Sequence, residues 1–180
     1  SSYENVKTVA KKLKNEKVKV TGLINAAGIS SMNLAVATTP NMTQSIIQTN
    51  LVGTIYCCQI FSPLMFRNKS GSIINFSTIA VPLGLKGESV YVASKAGIEG
   101  FSRSFAREAA DFNVRVNCIA PGPINTDLLK GVSSEQINRI VSQQVIPKQF
   151  IPSDVCDLVE LLLDDKSASL SGQVLNVGGA

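Results

Sequence analysis

Histidine and tryptophan are absent from this 180-residue chain, and its four cysteines form no C-x-x-C pair. Without such ligands at metal-binding spacing, a zinc centre is not expected and no metal site is assigned. No apolar run approaches the ~20 residues that cross a bilayer, so no membrane contact is expected. Aromatic residues make up only 6% and are not interleaved with basic ones. A net charge of +4 therefore does not argue for nucleic acid as a partner. No signal-peptide pattern stands at Ser1, although a chain opening on SSYEN need not begin at its native start. There is no internal repeat and no low-complexity segment. The adjacent Cys57 and Cys58 sit in an apolar tract and read as reduced core thiols, which suits a reducing compartment. The cytoplasm is the expected location, with the mitochondrial matrix as the alternative.

Apolar residues make up 44%, enough for one domain with a substantial core. Residues 3–15 place Val6, Val9, Ala10 and Leu13 at helical spacing, with lysines on the outer face. Residues 18–25 read as a strand closed by Asn25-Ala-Ala-Gly28, whose small residues would let a flat ligand approach or simply form a turn. Thr39-Pro40 is a helix start, and the tract runs to about residue 66 with a bend expected at Pro63. Asn50 inside it is either a solvent-facing polar residue or is held for its side chain. Residues 114–119 form a second parallel-type strand, ended by Pro121-Gly122-Pro123. Residues 128–149 read as a mobile, lid-like insertion with one helix near 135–144. A helix over 152–163 and a strand over 173–177 complete the chain. The alternation predicts an α/β fold with a parallel sheet.

The stretch 71–100 organises the rest. It reads as a buried strand at 73–76, a loop containing Pro82, Gly84 and Gly87, and a helix from about Ser89 to 112. Ser77 and Thr78 stand at the strand's carboxyl end, where open α/β sheets bind ligands. Tyr91 and Lys95 are four residues apart and share one helix face. A tyrosine of pKa ~10 is a poor base at neutral pH. A nearby ammonium lowers that value, so that the phenol exchanges a proton with a carbonyl or alcohol oxygen. The Thr78 hydroxyl could hold the same oxygen. Taken alone, a Y-x-x-x-K spacing is equally that of a solvent-facing helix.

The motifs do not stand alone. Asn25-Ala-Ala-Gly28, Asn50 with Leu-Val-Gly53, Thr78 thirteen residues before Tyr91, Tyr91-Val-Ala-Ser-Lys95, Pro121-Gly122 with Ile124-Asn-Thr126, and the 171–179 strand and turn occur in one order. In that order the chain resembles the short-chain dehydrogenase/reductases over essentially its whole length, and most of all their 3-oxoacyl-[acyl-carrier-protein] reductases and carbonyl reductases. The resemblance implies a Rossmann-like, doubly wound parallel sheet. It implies reduction of a ketone by NADPH, with NADH as the alternative cofactor. Tyr91 would be the general acid, with Lys95 lowering its pKa and holding the nicotinamide ribose. Thr78 would orient the carbonyl, and Asn50 would hold a water relaying protons from Lys95. Asn25, Ala26, Gly28, Pro121, Gly122, Ile124 and Thr126, with Tyr91 and Lys95, would contact the cofactor. Homodimers or tetramers would form through helices near 51–66 and 91–112. A small or acyl-carrier-bound carbonyl compound would be the substrate, with Arg67, Lys69 and Arg103 as candidates to meet an acidic carrier.

Three departures stand out. Thr78 replaces the family's usual serine, which keeps the hydroxyl and adds a methyl. Gly178 stands where an aspartate is common. No G-x-x-x-G-x-G phosphate-binding loop occurs. The first two βα units, roughly sixty residues at about thirty each, are missing. Residues 1–180 are thus expected to be a single incomplete domain supplying only the C-terminal strands, with an uncovered first strand at the sheet edge. Either the native protein is longer and reduces ketones, or the chain is a non-catalytic fragment or structural subunit that keeps the oligomerisation helices.

Overall fold

The computed structural model describes residues 2–180. A four-stranded sheet, parallel throughout, forms its centre in the order β1 (Gly22–Asn25), β2 (Gly71–Phe76), β3 (Val114–Pro121), β4 (Val174–Val177). The helices are α1 (Tyr3–Asn15), α2 (Pro40–Ile46), α3 (Gly53–Asn68), α4 (Ala80–Leu83), α5 (Ser89–Ala110), α6 (Ser134–Val141) and α7 (Pro152–Leu163). The expected Rossmann-like α/β architecture is therefore observed. Successive residues of a strand point to opposite faces, and here both faces are covered. Ile73 packs with Cys58, Met65, Phe105, Ala109 and Val116 between the sheet and α3 and α5. Its neighbour Ile74 packs with Ile119, Val155 and Leu162 against α7. Burial on both sides is why β2 is a continuous apolar run rather than an alternating one.

Local chemistry sets several helix ends. The Thr39 hydroxyl accepts a hydrogen bond from Met42 N–H at 3.2 Å, and Pro40 occupies the first turn of α2. Ser133 and Gln136 form a capping box at the start of α6. Pro152 starts α7 at the expected residue.

Three expectations are corrected. The first strand is confined to Gly22–Asn25, because Lys17 takes a left-handed conformation (φ 55°) and Val18 N–H closes back on Leu13 C=O. The long second helix is interrupted at Ile47–Val52 by a π-helical segment, and Pro63 lies within α3. The loop after β2 contains the single turn α4, ended by Gly84 at φ 60°. Among the described residues, no helix is long and apolar enough to cross a membrane.

Because α5 runs back against the parallel strands, its first turns lie at the strands' carboxyl ends. Tyr91 and Lys95 thereby meet the ends of β1, β2 and β3.

Candidate active site

A cavity of about 470 Å³ opens at this end of the sheet. Ala26 and Gly28 after β1, Phe76 to Ala80 at the end of β2, Tyr91 and Lys95 on α5, and Pro121 to Ile124 with Thr126 after β3 form its walls. Leu128, Leu129, Val132, Ile140 and Val155 cover it. Four residues of the 128–149 segment, Leu128, Leu129, Val132 and Ile140, are thus part of the cavity wall. The strand ends are tied together: Ser77 N–H donates to Ile119 C=O at 2.7 Å and Ile79 N–H to Pro121 C=O at 3.1 Å. Thr78 is held between these bonds, and its Oγ1 accepts from Ala80 N–H, the first residue of α4, at 3.2 Å.

Tyr91 is buried, and burial pushes its phenol up to about 12. The Glu88 carboxylate raises it further, and hydrogen bonding with Thr78 pulls the other way. Burial draws the Lys95 ammonium down to about 8. In this structure the Tyr91 phenol is raised rather than lowered. Lys95 Nζ lies 5.7 Å from the Tyr91 ring centroid and donates to Phe76 C=O at 2.8 Å, so its charge is directed at a backbone carbonyl rather than at the phenol oxygen. At neutral pH both groups carry their protons.

Asn50 is fully buried and not on a solvent face. Its Oδ1 accepts from Ile29 N–H at 2.9 Å, and its Nδ2 donates to Ile29 C=O at 2.9 Å and Ser94 Oγ at 3.0 Å. The π-helical bulge turns this amide toward the turn after β1, a use such bulges often serve. It fixes Gly28, where a Cβ would stand 3.4 Å from both Asn50 Oδ1 and Lys95 Nζ. Any side chain there would cover both polar atoms. Asn50→Ala would leave the Ile29 N–H and C=O without their partner, while Ser94 keeps its bond to Tyr91 C=O, so a loss of about 2–4 kcal/mol in unfolding free energy is expected by denaturant titration.

Not every expected residue reaches the cavity. The Asn25 side chain is directed inside the sheet instead. It donates to Asn75 Oδ1 at 2.8 Å, across its registered neighbour, and Asn75 Nδ2 donates on to Ser102 Oγ. Arg67 and Lys69 stand at the opposite end of the sheet, near the start of β2, and Arg103 pairs with Glu99 at 3.7 Å. None of the three lines the cavity. Cys58 and Cys118 are buried thiols held well above their usual range by desolvation, at about 12 and about 11.

Two residues emerge only from the structure. Glu88 lines the cavity three residues before Tyr91. Gln144 is buried between Gly122 and Gly178, and its Nε2 donates to Lys148 C=O at 2.8 Å. A Cβ on Gly122 would meet Gln144 Oε1, so the glycine leaves room for that amide. With Ile146 N–H donating to Gly178 C=O at 2.8 Å, the far end of the 128–149 segment is fastened to the turn after β4.

The parallel sheet, the Tyr91–Lys95 pair at its carboxyl end and the small-residue wall define a class, and comparison with known proteins agrees. The model of the enoyl-(acyl carrier protein) reductase family matches residues 1–179. The 3-oxoacyl-[acyl-carrier-protein] reductase FabG of Staphylococcus aureus strain Mu50 is 34% identical over 176 residues, covering 98% of this chain and 72% of the relative. Carbonyl reductase family member 4 of Xenopus laevis is 35% identical over 179 residues, covering 99% of this chain and 74% of the relative. The crystal structure of gox2181 superposes with a TM-score of 0.90 at 26% identity, over 98% of this chain and 70% of that one. The chain belongs to the short-chain dehydrogenase/reductase family, a family of oxidoreductases.

Proposed function

We propose that this chain carries the carbonyl-reducing site of an NADPH-dependent ketone reductase, acting on a 3-oxoacyl thioester or a similar neutral carbonyl compound. One observation carries the reading: the protonated phenol of Tyr91 and the hydroxyl of Thr78 line the same apolar cavity, with Lys95 beside Gly28 at its floor. Two hydroxyl donors can bind one carbonyl oxygen. Thr78 orients it, and Tyr91 delivers its proton as the oxygen gains negative charge.

The residues present fit the nicotinamide end of the cofactor. Ala26, Gly28, Pro121 and Gly122 give a wall without bulky side chains for a flat ring. Lys95 Nζ, with one proton donated to Phe76 C=O, has donors left for ribose hydroxyls. Ile124 and Thr126 continue that wall. When bound, NADPH supplies the hydride; it is preferred to NADH on the resemblance to 3-oxoacyl reductases. Asn50 Oδ1 keeps one lone pair facing the Gly28 turn, where a water would link Lys95 to solvent and restore the Tyr91 proton. In this reading the native protein is a homo-oligomer joined through α3 and α5, working in the cytoplasm.

The test is NADPH consumption with a 3-oxoacyl thioester. Thr78→Ser keeps the hydroxyl and is expected to keep turnover. Thr78→Val keeps the shape and removes the donor, and is expected to lose about 10²–10³-fold in kcat. Equal turnover in Thr78→Val would overturn the assignment.

A further inference from the structure

Glu88 stands at the foot of α5 with a half-buried carboxylate on the cavity wall. Its backbone is committed, with C=O accepting from Val92 N–H at 2.7 Å. Its side chain is not: it makes no capping bond, and among the described residues no ion pair engages it. The titratable groups lining the cavity with it are Tyr91 and Lys95 on α5 and Cys156 on α7. Lys95 is bonded to Phe76 C=O, while Glu88, three residues before Tyr91, shares the cavity wall with it and its charge acts on the Tyr91 phenol.

We propose that Glu88 is a specificity-determining residue that excludes ketones bearing a free carboxylate and admits those whose acid group is masked as a thioester, ester or amide. The inference rests on the ketone-reductase reading above. The physical cause is like charge in an apolar enclosure. A substrate carboxylate beside Glu88 would share a low-dielectric space with a second negative charge that no ion pair offsets among the described residues, the Lys95 ammonium being bonded to Phe76 C=O. A masked acid brings no charge and meets no such repulsion. Burial holds the Glu88 carboxyl above its ordinary range. Discrimination is therefore present above that raised value and is lost as pH falls through it.

The experiment uses the full-length native protein with NADPH and two probes, ethyl acetoacetate and acetoacetate. The ratio of their kcat/KM values is measured in wild type, Glu88→Gln and Glu88→Asp. Glu88→Gln is expected to narrow the ratio about tenfold by gain on the free acid, and Glu88→Asp to preserve most of it. Ring-carbon-labelled tyrosine followed by NMR gives a readout independent of turnover: the Tyr91 signal, assigned with Tyr91→Phe, should titrate at lower pH in Glu88→Gln. An unchanged ratio with turnover intact would overturn the proposal alone. Failure of the wild type to reduce either ketone would overturn the reading beneath it.

Discussion

Replacing Tyr91 with phenylalanine is expected to lower kcat by about 10²–10⁴-fold with the fold unchanged, because it removes the proton donor and little else. The ring is 7% exposed and would stay packed, with Lys95 Nζ over its face. The lost oxygen interacts with Thr78, whose Oγ1 remains bonded to Ala80 N–H. Thermal unfolding should therefore shift little while NADPH consumption falls. Retained turnover would show that the proton comes from elsewhere. The same variant identifies the Tyr91 phenol in an absorbance titration of the protein. Since burial pushes that phenol up to about 12, its contribution should appear only well above the ordinary tyrosine range.

Lys95→Met is expected to abolish turnover and, at neutral pH, to stabilise the fold. The ammonium is 4% exposed, and desolvation brings its pKa from 10.5 down to about 8. A lysine with a depressed folded-state pKa makes the folded state bind fewer protons than the unfolded state between those values. Wild-type stability therefore rises with pH across that window, and the full penalty applies below about pH 8. At about 1.4 kcal/mol per pKa unit the net cost of holding the charged lysine in the fold is about 3 kcal/mol. The variant should therefore be the more stable at pH 7, and the difference should shrink as pH approaches 10.5. Denaturant unfolding of both proteins at pH 7 and pH 10 measures the difference. A variant less stable at both would show that Lys95 is a structural residue, with no energy held for function.

These outcomes bear on what the chain discloses before its structure is known. The Thr39-Pro40 start, the α5 face bearing Tyr91 and Lys95, and the run Ile73-Ile74 are local patterns, each set by a cap, a spacing or burial on two faces. Such features are readable within one or two turns of chain. The role of Asn50 is not, because its partners Ile29 and Ser94 lie 21 and 44 residues away and the π bulge that aims it carries no composition signal. Asn25 illustrates the opposite error: its position after β1 suggests ligand contact, yet Asn75, 50 residues on, claims its side chain. Glu88 reads as an ordinary acidic residue before a helix, and Gln144 as a polar residue of an exposed segment. Only the tertiary fold puts one on the cavity wall and the other against Gly122. The direction of the Tyr91 shift is hidden for the same reason, since spacing shows that Lys95 is near and does not show where its ammonium points.

The most direct measurement is the transfer of label. The full-length native protein is given NADPH deuterated at the transferring position and a 3-oxoacyl thioester, and the product is analysed by mass spectrometry for wild type and Tyr91→Phe. The account predicts a 3-hydroxyacyl product carrying the deuterium with the wild type, and almost none with the variant. Unlabelled alcohol, no alcohol, or equal labelled product from both proteins would contradict it.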